Sequence, residues 1–164
     1  MAGWQMMLFS NKTSRPIWIV QQVSRFSFAG LLIIFTFLGA RAYANDVAFI
    51  EGEMVTMAKW IANNTPETAL IASHDIGAIG YFAERPLLDL AGLITPEIIP
   101  LLDDELAMTT YILASNAQYL VTAPGWPYVS IVEMSRSQPI FSTEHQWTIE
   151  NGQNNMTIYL LQGS

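Results

Sequence analysis

The sequence predicts a small α/β domain, with a mostly parallel sheet and flanking helices, preceded by a transmembrane helix. An uncharged apolar run over residues 26–40 predicts the membrane helix. Beyond it, helical patterns alternate with short apolar runs, which is typical of strands joined by right-handed parallel crossovers. The last part of the chain alternates apolar and polar residues around Asn151-Gly152, which predicts a carboxyl-terminal β-hairpin.

Composition and charge exclude several classes of protein. The chain has 164 residues, of which 51% are hydrophobic and 13% are charged, so it is too apolar to be disordered and long enough to bury a core. Residues 1–41 hold four of the seven basic residues and no acid, whereas residues 42–164 hold the other three and all 14 acids. This acidic body argues against nucleic-acid binding. The absence of cysteine excludes disulfides and thiolate metal sites.

The apolar run is interpreted as a retained membrane helix over about residues 19–39, a length that crosses a bilayer. Two alternatives stay open. A secretory signal peptide is one, because Ala42 and Ala44 fit the small-residue pattern of a cleavage site. A buried helix of a soluble protein is the other.

The distribution of basic residues around the run predicts the orientation of the chain. Lys12, Arg15 and Arg25 precede most of the run, and Arg41 follows it. Because cytoplasmic flanks carry the excess of Lys and Arg, we expect a cytoplasmic amino terminus. Residues 1–44 would then form that terminus and a single span of the cell membrane. Residues 45–164 would form an acidic, extracytoplasmic domain.

Periodicity places the elements of the body in order. A spacing of three or four residues between apolar side chains predicts a helix over residues 46–63, with Glu53 off its apolar stripe. Short apolar runs bounded by turn residues predict strands at 69–73, 87–91 and 119–122. Further helices are predicted at 75–82, from Thr95 onward, at 103–116 and at 128–136. The two strands of the hairpin are predicted at 146–150 and 156–161.

Candidate binding residues follow the predicted strands, because ligands of an open parallel sheet bind beyond the carboxyl ends of its strands. Those ends carry His74, Asp75 and Trp126. His74 and Asp75 could act as a base and its orienting acid. In the structural interpretation, Asp75 caps a helix and His74 packs at the end of a strand.

Asp89 lies inside an apolar strand, where an unpaired carboxylate would be costly. Arg85 is its expected partner across the turn at Pro86, and the pair is expected to be structural, although both residues stay candidates for binding. The only other histidine, His145, is not spaced to form a metal site with His74. Motifs of serine hydrolases, nucleotide-binding loops and dinucleotide-binding folds are also missing, so the sequence predicts no metal, no cofactor and no catalytic residue.

Four segments taken in order resemble a known family. They are the stretches at 60–66, 72–82, 85–93 and 96–97, which read WIANNTP, ASHDIGAIGYF, RPLLDLAGL and PE. Together, over about residues 46–123, they resemble the exported carboxyl-terminal domain of bacterial multi-spanning glycosyltransferases. These are the protein-mannosyltransferase-like, type C enzymes that use polyprenyl-phosphate sugars. The predicted membrane helix stands where that family has its last span.

The resemblance implies a non-catalytic role, because the family's catalytic acid lies in a first exported loop that this sequence does not contain. The chain is therefore expected to be a fragment or truncated relative of such a protein. Its implied partners are the lipid bilayer and the catalytic membrane portion of a glycosyltransferase, or a glycan or lipid-linked sugar. Two other hypotheses remain. One is an independent extracytoplasmic module that binds a glycan or another ligand, and the other is a small hydrolase that uses His74 and Asp75.

Overall fold

The computed structural model describes residues 15–134 and 137–161. The chain divides into two compact units, residues 1–46 and 47–164, and each is described by itself. Lys12, which contributes to the predicted orientation, and Arg136, the predicted end of a helix, lie outside the described residues.

The first unit contains most of helix α1, Arg15–Phe49. Within the described residues, one helical stretch, Pro16–Asn64, is long and apolar enough to cross a membrane. Its most apolar window has a mean hydropathy of 1.8, and none of that window is buried. Large side chains such as Phe26 and Phe37 are about three-quarters exposed (74% and 75%). This exposure argues against the alternative of a buried helix in a soluble protein, whereas an anchor and a signal sequence share these properties.

The second unit is a sheet with helices packed on both faces. Its helices are α2 to α6, with bounds Thr56–Asn64, Gly77–Phe82, Glu105–Ala114, Val129–Val132 and Gln146–Glu150. Its strands are β1 to β5, with bounds Ile71–Ser73, Leu87–Asp89, Tyr119–Thr122, Ser137–Ser142 and Thr157–Leu161. A π-helical segment covers Ile50–Val55, and a 3-10 helix covers Pro96–Leu101.

The five strands form one mixed sheet in the order β2-β1-β3-β5-β4. Strand β1 pairs in parallel with β2 and β3, whereas β5 pairs antiparallel with β3 and β4. The predicted α/β class is confirmed, and the mostly parallel sheet is not. Half of the four pairings are antiparallel, because β5 and β4 extend the β3 edge of a sheet that has only three parallel strands.

The carboxyl-terminal strands pair as predicted in orientation, but one of them comes from a different segment. Residues 146–150 form helix α6, and the antiparallel neighbour of β5 is β4. Asn151-Gly152 ends this helix instead of turning a hairpin. The amide of Gln153 donates to the carbonyl of Thr148 at 3.0 Å, and that of Gly152 donates to Ile149 at 3.0 Å. Gly152 has φ +71°, so these contacts form a Schellman cap.

The core lies on both faces of the sheet, because successive strand residues point to opposite sides. Helices α2 and α3 cover the face that includes Ile71, Val121 and Ile158. Helices α4 and α5, with the 3-10 helix, cover the face that includes Leu120 and Tyr159. Strands β1, β2 and β3 are short and almost fully buried, so the edge formed by their carboxyl ends is held between two packed layers.

Candidate functional site

The carboxyl ends of β1, β2 and β3 lie side by side, as the sequence predicted, and bring His74 and Trp126 together. The His74 ring meets the Trp126 ring edge-on, with centroids 5.7 Å apart and planes at 81°. His74 is exposed, and its Nδ1 lies 3.1 Å from the hydroxyl of Tyr128. An imidazole and an indole therefore stand next to each other at the edge of the sheet.

Asp75 does not join His74 in a base–acid pair. Its Oδ1 accepts the amide of Gly77 at 3.2 Å, and its backbone carbonyl accepts the hydroxyl of Ser73 at 2.9 Å. Both contacts fix the turn that leads from β1 into α3. The role of Asp75 is structural, but the cap residue of α3 is Ile76, which makes no side-chain cap hydrogen bond, so the prediction that Asp75 itself caps the helix is wrong.

Asp89 is fully buried at the end of β2, and its carboxylate binds the backbone of the loop that follows. Oδ1 accepts the amide of Ala91 at 2.9 Å, and Oδ2 accepts that of Ile94 at 2.6 Å. Burial by itself raises the pKa of Asp89, but backbone amides of Ile94, Ala91, Thr95 and Leu93 outweigh it and hold that pKa below the usual 3.8. Asp89 is therefore an ionised carboxylate, and both of its oxygens accept hydrogen bonds from backbone amides of the loop.

Arg85 does not contact Asp89, which corrects the expected ion pair. Its Nη2 donates to the carbonyls of Ala62 at 2.7 Å and Thr65 at 2.9 Å, and its Nη1 donates to that of Ala83 at 3.0 Å. The first two carbonyls belong to the end of α2, whose last carbonyls have no partner within the helix. The guanidinium therefore caps that helix, while backbone amides stabilise the negative charge of Asp89.

Tyr128 is the central residue of this edge, and sequence reasoning missed it as a site residue. Its side chain is 2% exposed, and its backbone has φ +92°, which a non-glycine residue rarely adopts. Burial, followed by the negative charge of Asp89, raises the pKa of Tyr128 to about 12. The phenol is therefore protonated at neutral pH, and its hydroxyl contacts exposed His74. A positive φ on a tyrosine cannot be read from the sequence.

A cavity of about 200 Å³ adjoins this edge. Trp126, Tyr128 and Tyr159 contribute aromatic surface to its lining, and Glu133 contributes a carboxylate. Thr122 also lines it, and the buried Thr122 hydroxyl has no hydrogen-bond partner. Aromatic surface beside a few polar groups suits a small uncharged ring that has both an apolar face and hydroxyl groups.

A second buried carboxylate, that of Glu53, lies in the π-helical segment, where the sequence predicted an off-stripe position on an α-helix. A π-helical turn closes its hydrogen bonds over five residues instead of four, so the side chains within and after it face other directions than in a continuous α-helix. The π segment therefore turns Glu53 into the core, where it is 0% exposed. It accepts the side-chain amide of Asn155 at 2.7 Å, the backbone amide of Met156 at 2.8 Å and the hydroxyls of Thr143 and Thr148.

All of these partners of Glu53 are neutral donors, so the cluster is arranged to hold a carboxylate in place. His145 packs nearby, with its ring against Gly52, where no side chain would fit. Across residues 15–134 and 137–161, no group of three His, Asp or Glu residues is placed to hold a metal ion.

The chain is similar to a family of unknown function. The model of a domain of unknown function, DUF8728, matches residues 38–159. No curated protein and no solved structure matches the chain.

Proposed function

The chain belongs to the DUF8728 family, and we propose that it is a membrane-anchored, extracytoplasmic and non-catalytic domain of the glycosyltransferase-like class suggested by its sequence motifs. The helix over Pro16–Asn64 supports the anchor. The excess of basic residues before the apolar run supports the extracytoplasmic side.

The structural roles of Asp75 and Asp89, the two acids at the sheet edge, support the proposal that the domain is non-catalytic. Asp89 is saturated by backbone amides, and Asp75 accepts the amide that begins a helix. Tyr128, with a pKa of about 12, is not a base at neutral pH. A general acid or base needs a proton-accepting atom free to reach the substrate, and Asp89 offers none, because both of its oxygens accept backbone amides. Asp75 is held in the turn before a helix and makes no contact with His74, so the two residues do not form a base–acid pair. The same contacts weigh against the hydrolase hypothesis.

A transfer assay tests this proposal. The purified full chain, in detergent micelles with a polyprenyl-phosphate sugar and a peptide acceptor, is expected to transfer no sugar. Transfer that is lost in Asp75→Asn or Asp89→Asn, while the variant keeps its fold by circular dichroism, would overturn the proposal. Gene context adds a second test, since a neighbouring reading frame with many spans and an exported acidic loop is expected for a truncated relative.

The cavity favours a second candidate function, an extracytoplasmic glycan-binding module. Sugar rings place their apolar C–H face on an indole, and Trp126 offers one in a cavity that the carboxylate of Glu133 also lines. Saturation-transfer NMR with methyl α-mannopyranoside and methyl β-glucopyranoside tests it. Binding should weaken in Trp126→Ala and persist in the matched control Trp147→Ala, whose indole is not among the residues that line the cavity. Equal signals from both variants would exclude the cavity as the site.

A further inference from the structure

The loop after β2, residues 90–95, presents two adjacent large aliphatic side chains to solvent. Leu93 is 77% exposed and Ile94 is 63% exposed. The sequence from Leu90 to Pro96 contains no charged residue. An exposed pair of this kind on a short, uncharged loop suits contact with an apolar phase.

Most backbone amides of this loop already have hydrogen-bond acceptors. The carboxylate of Asp89 accepts the amides of Ala91 and Ile94, and those of Thr95 and Leu93 also stabilise its charge. An unsatisfied amide costs several kcal/mol in hydrocarbon, so irregular backbone normally stays out of lipid. Here the buried acid removes much of that cost, because it binds these amides from the protein side.

Contacts with the 3-10 helix also fix the conformation of the loop. Gly92 has φ +80°, and its Cα packs so close to Ile99 that a Cβ would lie 2.8 Å from Cγ1 of that side chain. The amide of Ile98, a fully buried residue, donates to the carbonyl of Thr95 at 3.2 Å. Leu93 and Ile94 are thus held outward by a rigid base, and little conformational entropy is left to lose on contact.

We infer that Leu93 and Ile94 insert into the lipid surface to which the chain is anchored. The inference rests on the proposed anchoring, because a chain held by its own span meets the bilayer as an intramolecular event at high effective concentration. The body is acidic, with 14 acids and three basic residues over 42–164, so charge does not attract it to anionic lipid. The contact is therefore apolar and insensitive to salt.

Depth-dependent quenching in vesicles tests the inference, and the cysteine-free sequence allows clean single-cysteine labelling. Full chains carrying Leu32→Cys, Leu93→Cys or Gln153→Cys are labelled with an environment-sensitive nitrobenzoxadiazole dye and reconstituted into phosphatidylcholine vesicles with doxyl-labelled lipids. Leu32 reports on the membrane helix, Leu93 on the loop, and the exposed Gln153 on a polar surface.

We expect quenching at Leu32 and Leu93 and none at Gln153, with no change between low and high salt. Adding Ile94→Ser to the Leu93-labelled chain should weaken insertion about tenfold, since burial of one such side chain is worth about that factor. Quenching at Leu32 without quenching at Leu93 overturns this inference alone, and shielding of Leu93 from aqueous iodide would then indicate a protein partner or a second copy. Absence of quenching at Leu32 overturns the anchor and the inference with it.

Discussion

Asp89 and Arg85 are expected to stabilise the fold independently of each other, although their spacing in the sequence suggests an ion pair. Asp89 binds the amides of the loop at 90–95, and Arg85 binds carbonyls at the end of α2. The two side chains share no partner among the described contacts. Asp89→Ala, Arg85→Ala and the double variant therefore form a thermodynamic cycle whose coupling term should be close to zero.

The magnitudes follow from the contacts that each variant removes. Asp89→Ala abolishes two charge-assisted hydrogen bonds at a fully buried position and leaves the amides of Ala91 and Ile94 without an acceptor. At about 1.5–3 kcal/mol for each such bond, the loss of unfolding free energy is about 3–6 kcal/mol. Arg85→Ala removes hydrogen bonds to three carbonyls, but Arg85 itself is half-buried, so water can enter the space it leaves and the loss is smaller, about 1–3 kcal/mol. Sites without shared partners add to within about 0.5 kcal/mol.

Urea denaturation of the full chain in mild detergent, followed by tryptophan fluorescence, measures the four free energies of unfolding. Asp75→Ala is the matched control, because its carboxylate accepts a single longer bond at 3.2 Å and its loss should cost less than about 1 kcal/mol. A coupling energy above about 1 kcal/mol between Asp89 and Arg85 would refute the reasoning and restore the ion pair.

Two further predictions concern acidity and packing. Because amides hold the folded pKa of Asp89 below the unfolded value near 3.8, its contribution is complete above that value and is lost as pH falls through the lower folded pKa. Asp89→Asn should therefore reduce the fall of the free energy of unfolding at low pH, measured by fluorescence. An unchanged fall would show that other acids cause it. Gly52→Ala places a Cβ against the His145 ring and should cost about 1–3 kcal/mol. His145→Ala should restore much of that loss in thermal melts, and failure to do so would locate the strain elsewhere.

The three parallel strands could be predicted because their local sequence pattern, short apolar runs between turn residues, is enough to determine them. Strand β3 lies at the predicted 119–122, and β1 and β2 lie within the predicted runs 69–73 and 87–91. Short apolar runs between turn residues have few other stable arrangements when helices flank them. The parallel order then follows, and with it the meeting of His74 and Trp126 at one edge.

The parts that could not be predicted depend on contacts distant in sequence. The sequence pattern predicts that Glu53 lies on the surface. In the structure a π turn directs its carboxylate toward four donors that are about 90–103 positions away in the sequence. Asn151-Gly152 fits a hairpin turn and a helix cap equally well, and only the Schellman contacts decide. Arg85 binds carbonyls at the end of α2 and not Asp89, its neighbour in the sequence. The positive φ of Tyr128 is not marked by any sequence pattern.

The topology of the chain in cells tests the central claim most directly. A periplasm-active alkaline phosphatase and a cytoplasm-active fluorescent protein are fused in turn after Ser164 and expressed in a bacterial host. An anchored extracytoplasmic domain predicts phosphatase activity that stays in the membrane fraction and a dark fluorescent fusion. Bright fluorescence with silent phosphatase would contradict the claim, and phosphatase activity released into the soluble periplasm would show that the helix is a cleaved signal instead of an anchor.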